Sequence, residues 1–142
     1  MSKSNVFEND ILKLIFNGIP IAGLAKNDTS SPVTDLTMAL HLLDPGEAGD
    51  QSTNEISYTG YSRVRVSRQG GDGWIVNGNN VSPAVNITFG KMTGGVGGIA
   101  TFASVGTGVG NKMLYRGAIT PTLNVVVGKI PRLTPASVIT EE

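Results

Sequence analysis

His41 is the only histidine in the chain, and cysteine is absent. These two facts narrow the chemistry the chain can do. Without cysteine there is no disulfide, no thiolate nucleophile and no zinc site built on Cys and His. His41 sits within Met38-Ala39-Leu40-His41-Leu42, an apolar stretch where a structural histidine is expected. A general base would need a serine and an acid held beside it in space, and no nucleophile-elbow spacing is present. The expectation is a protein without catalytic activity.

Four carboxylates, Asp44, Glu47, Asp50 and Glu55, fall in one polar stretch. Carboxylate oxygens on a loop are calcium chemistry, but the spacing is not that of an EF-hand loop, so a solvated loop is expected and no metal. Gly106-Thr107-Gly108-Val109-Gly110-Asn111-Lys112 has the glycines and lysine of a phosphate loop. It lacks the Ser or Thr that must follow the lysine directly, and no helical pattern starts there, so a turn between strands is expected. Arg63, Arg65 and Arg68 lie near Tyr61. Alternation puts Tyr61, Arg63 and Arg65 on one strand face, where salt bridges within or between subunits are expected. A basic surplus wide enough for nucleic acid is lacking. Sequons at Asn27 and Asn86 carry little meaning without a secretory signal.

The elements that would position these groups are mostly strands. Asn5 and Glu8 have capping-box spacing, and Phe7, Ile11, Leu14 and Ile15 make an apolar stripe ended by Asn17-Gly18, which predicts a helix over 5–17. Gly23 to Thr34 reads as a polar loop. From Leu36 the period becomes two, through Met38, Leu40 and Leu42. Further strands are predicted over Tyr58–Arg68, after a turn at Gly70–Gly73 from Trp74 to Val76, and over Val81–Phe89 with Val85, Ile87 and Phe89 pointing one way. More follow over Ile99–Val105, Lys112–Ala118, Leu123–Val127 and Ser137–Thr140. Short strands at roughly ten-residue spacing predict an all-β, jelly-roll-like antiparallel sandwich with a short N-terminal helix. Residues 1–142 are expected to be one domain, with the helix able to serve as an arm.

Charged residues make up 15% of the chain, against about 25% in an average domain. A surface so poor in charge favours a packed assembly subunit. The net charge is zero, yet residues 1–60 hold three basic against eight acidic residues and residues 61–142 hold eight against three. Complementary surfaces, within the fold or between copies, would follow from that asymmetry. No apolar run reaches the ~18 residues of a membrane span, and the N-terminus has no signal-peptide pattern.

The stretch Met38-Ala39-Leu40-His41-Leu42-Leu43-Asp44-Pro45-Gly46-Glu47-Ala48-Gly49-Asp50-Gln51-Ser52-Thr53-Asn54-Glu55, followed by Tyr58-Thr59-Gly60-Tyr61-Ser62-Arg63-Val64-Arg65-Val66, resembles a family of small tailed-phage proteins often labelled tail fiber protein. Asn5 to Asn9, Leu14 to Asn17, the Trp74 segment, Ile87 to Phe89 and Leu114 to Ala118 extend the resemblance over nearly the whole chain. Such proteins resemble the capsid decoration, or cement, proteins of some podophages. The resemblance implies a virion structural protein, made in the host cytoplasm and seated on the capsid surface. Its partners would be the major capsid protein and further copies of itself, as a dimer or trimer, with no nucleic acid, membrane or cofactor. A tail-associated or receptor-binding role is the alternative. The subunit-interface candidates are Phe7, Ile11, Leu14, Ile15, Arg63 and Arg65.

Overall fold

The computed structural model of the chain describes residues 1–17, 19–24, 33–68, 72–77 and 80–140, with backbone only at 12–15 and 17. The elements run β1 (Ser2–Lys3), α1 (Asn5–Asn17), β2 (Asp35–His41), β3 (Val64–Ser67), β4 (Trp74–Asn77), β5 (Asn80–Pro83), β6 (Ile87–Thr88), β7 (Gly98–Gly106), β8 (Met113–Val125), β9 (Arg132–Leu133) and β10 (Ile139–Thr140). Every pairing is antiparallel. One five-stranded sheet has the order β1-β8-β7-β2-β3, a three-stranded sheet the order β10-β5-β4, and β6 pairs with β9.

The alternation in β2 explains the layering. Met38 and Leu40 point to one side and join Ile56, Val66, Ala103 and Val105 in the core. Ile87, Phe89, Leu133 and Ile139 close that core from the smaller sheets. The result is the expected all-β antiparallel sandwich with a short N-terminal helix. Thr37, Ala39 and His41 point to the other side of β2 and are buried too. A second layer must therefore cover the outer face, and the connection after β2 supplies it.

Several local expectations change. The helix is capped by Ser4, not by a box from Asn5 to Glu8. Ser4 Oγ accepts the Phe7 N–H at 3.3 Å and donates to the Met113 carbonyl at 2.6 Å. A short hydroxyl satisfies an orphan helix donor and ties the cap to β8 in one step. The hairpin turn expected at 70–73 has 70–71 outside the described residues, and the strands on either side of it do not pair with each other: β3 pairs with β2 and β4 with β5. The strand expected within Tyr58–Arg68 is Val64–Ser67. The strand expected over 81–89 breaks at Ala84 and Val85 into β5 and β6. Ile87 and Phe89 are buried as expected, but the bend leaves Val85 65% exposed. Conversely, the two strands expected over 112–127 are one. Thr101 of β7 faces Ile119 to Thr122 of β8 in a bulge, and Pro121, which has no N–H to donate, sits where the ladder is interrupted. The polar loop from Gly23 to Thr34 falls mostly outside the described residues.

Candidate functional site

The covering layer is built from loop 42–55. At its far end the chain rejoins β2, with Ile56 N–H donating to the Leu40 carbonyl and Leu42 N–H to the Asn54 carbonyl, each at 2.9 Å. Between these ends Gln51 drops its side chain onto the sheet and is fully buried. Its amide nitrogen donates to the Thr37 carbonyl at 3.0 Å and lies 3.4 Å from Ser104 Oγ; its oxygen accepts the Thr37 hydroxyl at 2.8 Å. Gly106 makes the space: a Cβ there would collide with the Gln51 amide.

His41 completes this polar layer. Its Nδ1 lies 2.8 Å from the Thr53 carbonyl and its Nε2 2.7 Å from Ser104 Oγ. A carbonyl only accepts, so Nδ1 carries the proton. Burial holds the His41 pKa below its ordinary value, opposed by the bond to the Thr53 carbonyl and by Glu55. The ring is therefore neutral, and Ser104 donates to Nε2. A serine hydroxyl on a histidine nitrogen is the start of a nucleophilic dyad. Here both residues are 0% exposed and all their polar atoms are occupied. The pair is a fastener between loop and sheet.

The four loop carboxylates do not converge. Asp44 binds Arg116 Nη1 at 2.7 and 2.8 Å, and Glu47 lies 3.7 Å from Arg116 Nη2. Asp50 accepts from the Ser52 N–H and hydroxyl, and the hydroxyl bond is the chief cause that lowers its pKa. Glu55 takes Arg63 in a bidentate pair at 2.8 and 2.7 Å and also accepts the Tyr61 hydroxyl at 2.8 Å. Burial pushes the Tyr61 phenol far above its usual range, so it stays a donor to Glu55 while accepting the Leu40 N–H. Among the described residues no three His, Asp or Glu are grouped to hold a metal. The glycine-rich segment at 106–112 is the turn from β7 to β8, and Lys112 is paired with Asp10 of the helix.

The interface candidates are thus scattered. Phe7 packs edge-on against Tyr115, centroids 5.4 Å apart, and Ile11 is half-buried. The side chains of Leu14 and Ile15 lie outside the described residues. Arg63 is spent on Glu55, and Arg65 is exposed on the opposite edge of the large sheet from β1. The start of the helix is held on its own domain through Ser4, Phe7 and Asp10, while Phe16 near its end is 77% exposed.

The surface that sequence patterning missed lies at the end of the sandwich where β7 begins and β8 finishes. Leu43, Val96, Ile99, Val126, Val127 and Ile130 are all exposed, and Val96 is 94% exposed. Gly98 pairs with Val125, and the Met92 N–H donates to the Lys129 carbonyl at 2.9 Å, which brings these segments together. Val125, Val126 and Val127 read in sequence as a strand. The Gly128-Lys129 that follows was the available sign that the run spills into a turn and out of the core.

Exposed aliphatic patches are a feature that protein–protein contact surfaces share. The chain matches a family model over residues 2–141, and that family defines its class: a structural protein of the bacteriophage virion. It belongs to the family described as Podophage GP4 fiber I protein gp80. A search among curated proteins finds no match.

Proposed function

We propose that the chain is a non-catalytic component of a tail-associated fiber, acting by contact with other virion subunits. The observation that carries the contact role is the group of exposed aliphatic side chains at one end of the sandwich, Val96 and Val127 among them. The family description, fiber, supports the fiber reading at least as well as the cement reading that the sequence put first. Head-surface cement is the second reading, favoured by a sequence without internal repeats. Both need partners that cover the patch: neighbouring copies, and either tail proteins or the major capsid protein.

Copy number separates the two. Quantified bands from purified virions should give about a dozen copies or fewer for a tail component, where cement would give hundreds. The non-catalytic reading rests on the sealed Ser104–His41 pair. His41→Ala should lower stability and leave incorporation into particles intact. A variant that folds and assembles normally but loses a hydrolytic activity would refute it.

A further inference from the structure

Several of the charges left over after pairing fall into two groups, one basic and one acidic, apart from Asp35, Arg65, Arg68 and Asp72, which neither group includes. From Gly73 to Thr140 the chain contains no Asp or Glu. Of the cations in that stretch, Lys112 and Arg116 are taken by Asp10, Asp44 and Glu47. Lys91, Lys129 and Arg132 are exposed and have no ion-pair partner among the described residues. They are neighbours in space. Thr88 pairs with Arg132, the Phe89 N–H donates to the Pro131 carbonyl, and the Met92 N–H donates to the Lys129 carbonyl. Residues 88–92 and 128–132 thus form a two-stranded ribbon that carries three unpaired cations, with Val127 and Ile130 exposed alongside.

An acidic group lies elsewhere. Glu8 is exposed, Asp50 is half-buried with no cation paired to it among the described residues, and Glu47 has only its distant contact to Arg116. The Glu47 carbonyl accepts the Asn5 N–H at 3.0 Å, so the first helical turn and loop 47–50 make one acidic face. That face lies on the outer side of the large sheet, where Gln51 covers Thr37 and Ser104. The ribbon lies on the other side of the core, where Ile87, Phe89 and Leu133 meet Met38 and Leu40.

We infer that the ribbon at 88–92 and 128–132 is the docking surface for a second copy of this chain, which binds it through the acidic face around Glu8, Glu47 and Asp50. This rests on the reading of the chain as an assembly subunit. Charge complementarity carries it: each molecule holds both faces, its formal net charge is zero, and the surplus of one face matches the other. Charges set register and partner choice, while Val127 and Ile130 supply the apolar burial that ion pairs at a surface do not. The contact joins two different surfaces, so it is heterologous and repeats from copy to copy. With the two faces on opposite sides of the core, repetition builds a row of molecules.

Sedimentation equilibrium of the full chain at low and high salt tests this. Association that weakens as salt screens the charges is expected. The variants K129E/R132E and E8K/E47K should each weaken it at least tenfold while keeping wild-type unfolding curves. An equimolar mixture of the two should associate again, because each restores the face that the other lost. A strict monomer at low salt, association indifferent to both variants, or a mixture that stays apart would overturn the contact. So would short DNA or heparin that binds the ribbon while E8K/E47K leaves association unchanged. Failure here with copies still counted in purified virions refutes the head-to-tail contact alone and leaves the structural role standing.

Discussion

The two sides of the sandwich are finished differently. On the outer side of the large sheet, His41, Ser104, Gln51 and Thr37 satisfy one another, and Arg63 and Arg116 have carboxylates. On the side of β6 and β9, cations and aliphatic side chains face solvent without partners. The difference separates two jobs that polar groups do. A closed network in a low-dielectric layer is costly to interrupt, because each orphaned group keeps its full desolvation penalty. An open surface can change with little effect on folding and large effect on association.

The largest effect should come from breaking the closed side. Gln51→Ala orphans the Thr37 carbonyl and hydroxyl and opens a hole over the sheet, a loss of about 3 kcal/mol. Urea unfolding followed by circular dichroism measures it, and a loss below about 1 kcal/mol would mean that water replaces the amide without penalty. Next comes Glu55→Gln, which removes a bidentate partner from Arg63 and weakens the acceptor of the Tyr61 hydroxyl. The expected loss is about 1–2 kcal/mol.

Acid should find the same side. The folded pKa of His41 lies below its ordinary value, so above pH ~6.5 the ring is neutral in both states and contributes no slope. Below that, the unfolded chain takes up a proton that the folded chain refuses. Stability then falls with pH by up to about 1.4 kcal/mol per unit until the folded pKa is reached. His41→Gln should flatten the profile between pH 7 and 5, and an unchanged slope would assign it to other groups. The smallest effect belongs to the open side: Lys129→Glu should shift stability by no more than about 0.5 kcal/mol. A larger shift would show that the ribbon is part of the fold's own support.

How much of this could be read from sequence depended on range. The helix over 5–17 and the strands around Leu36–Leu42 and Ile99–Val105 were legible, because a stripe or an alternation is set by neighbours a few residues apart. The cap was one residue off because Ser4 acts with Met113, a partner that no local pattern shows. Gln51 was illegible for the same reason. A glutamine between Asp50 and Ser52 looks solvated, and only the folded loop places it over Thr37 and Ser104. The basic ribbon was hidden by summing charge over halves of the chain. The absence of any carboxylate from Gly73 to Thr140 was present in the sequence, but which cations stayed unpaired depended on pairings between distant segments.

The place of β1 at the edge of the large sheet has a consequence for synthesis. Ser2 and Lys3 pair with Arg116 and Tyr115, and Ser4 Oγ reaches Met113, 109 positions away. β2 can pair early with β3 along one edge, but its other edge waits for β7, whose register partners are Phe102 to Gly106. A ribosome delivers the chain from the N-terminus, so the first elements made are among the last that can dock. The helix and the β7-facing edge of β2 stay without their partners until β7 and β8 have left the exit tunnel. Pairings of such long range are slow and leave strand edges open to other chains. That interval is when a nascent chain is most exposed to pairing with the wrong neighbour.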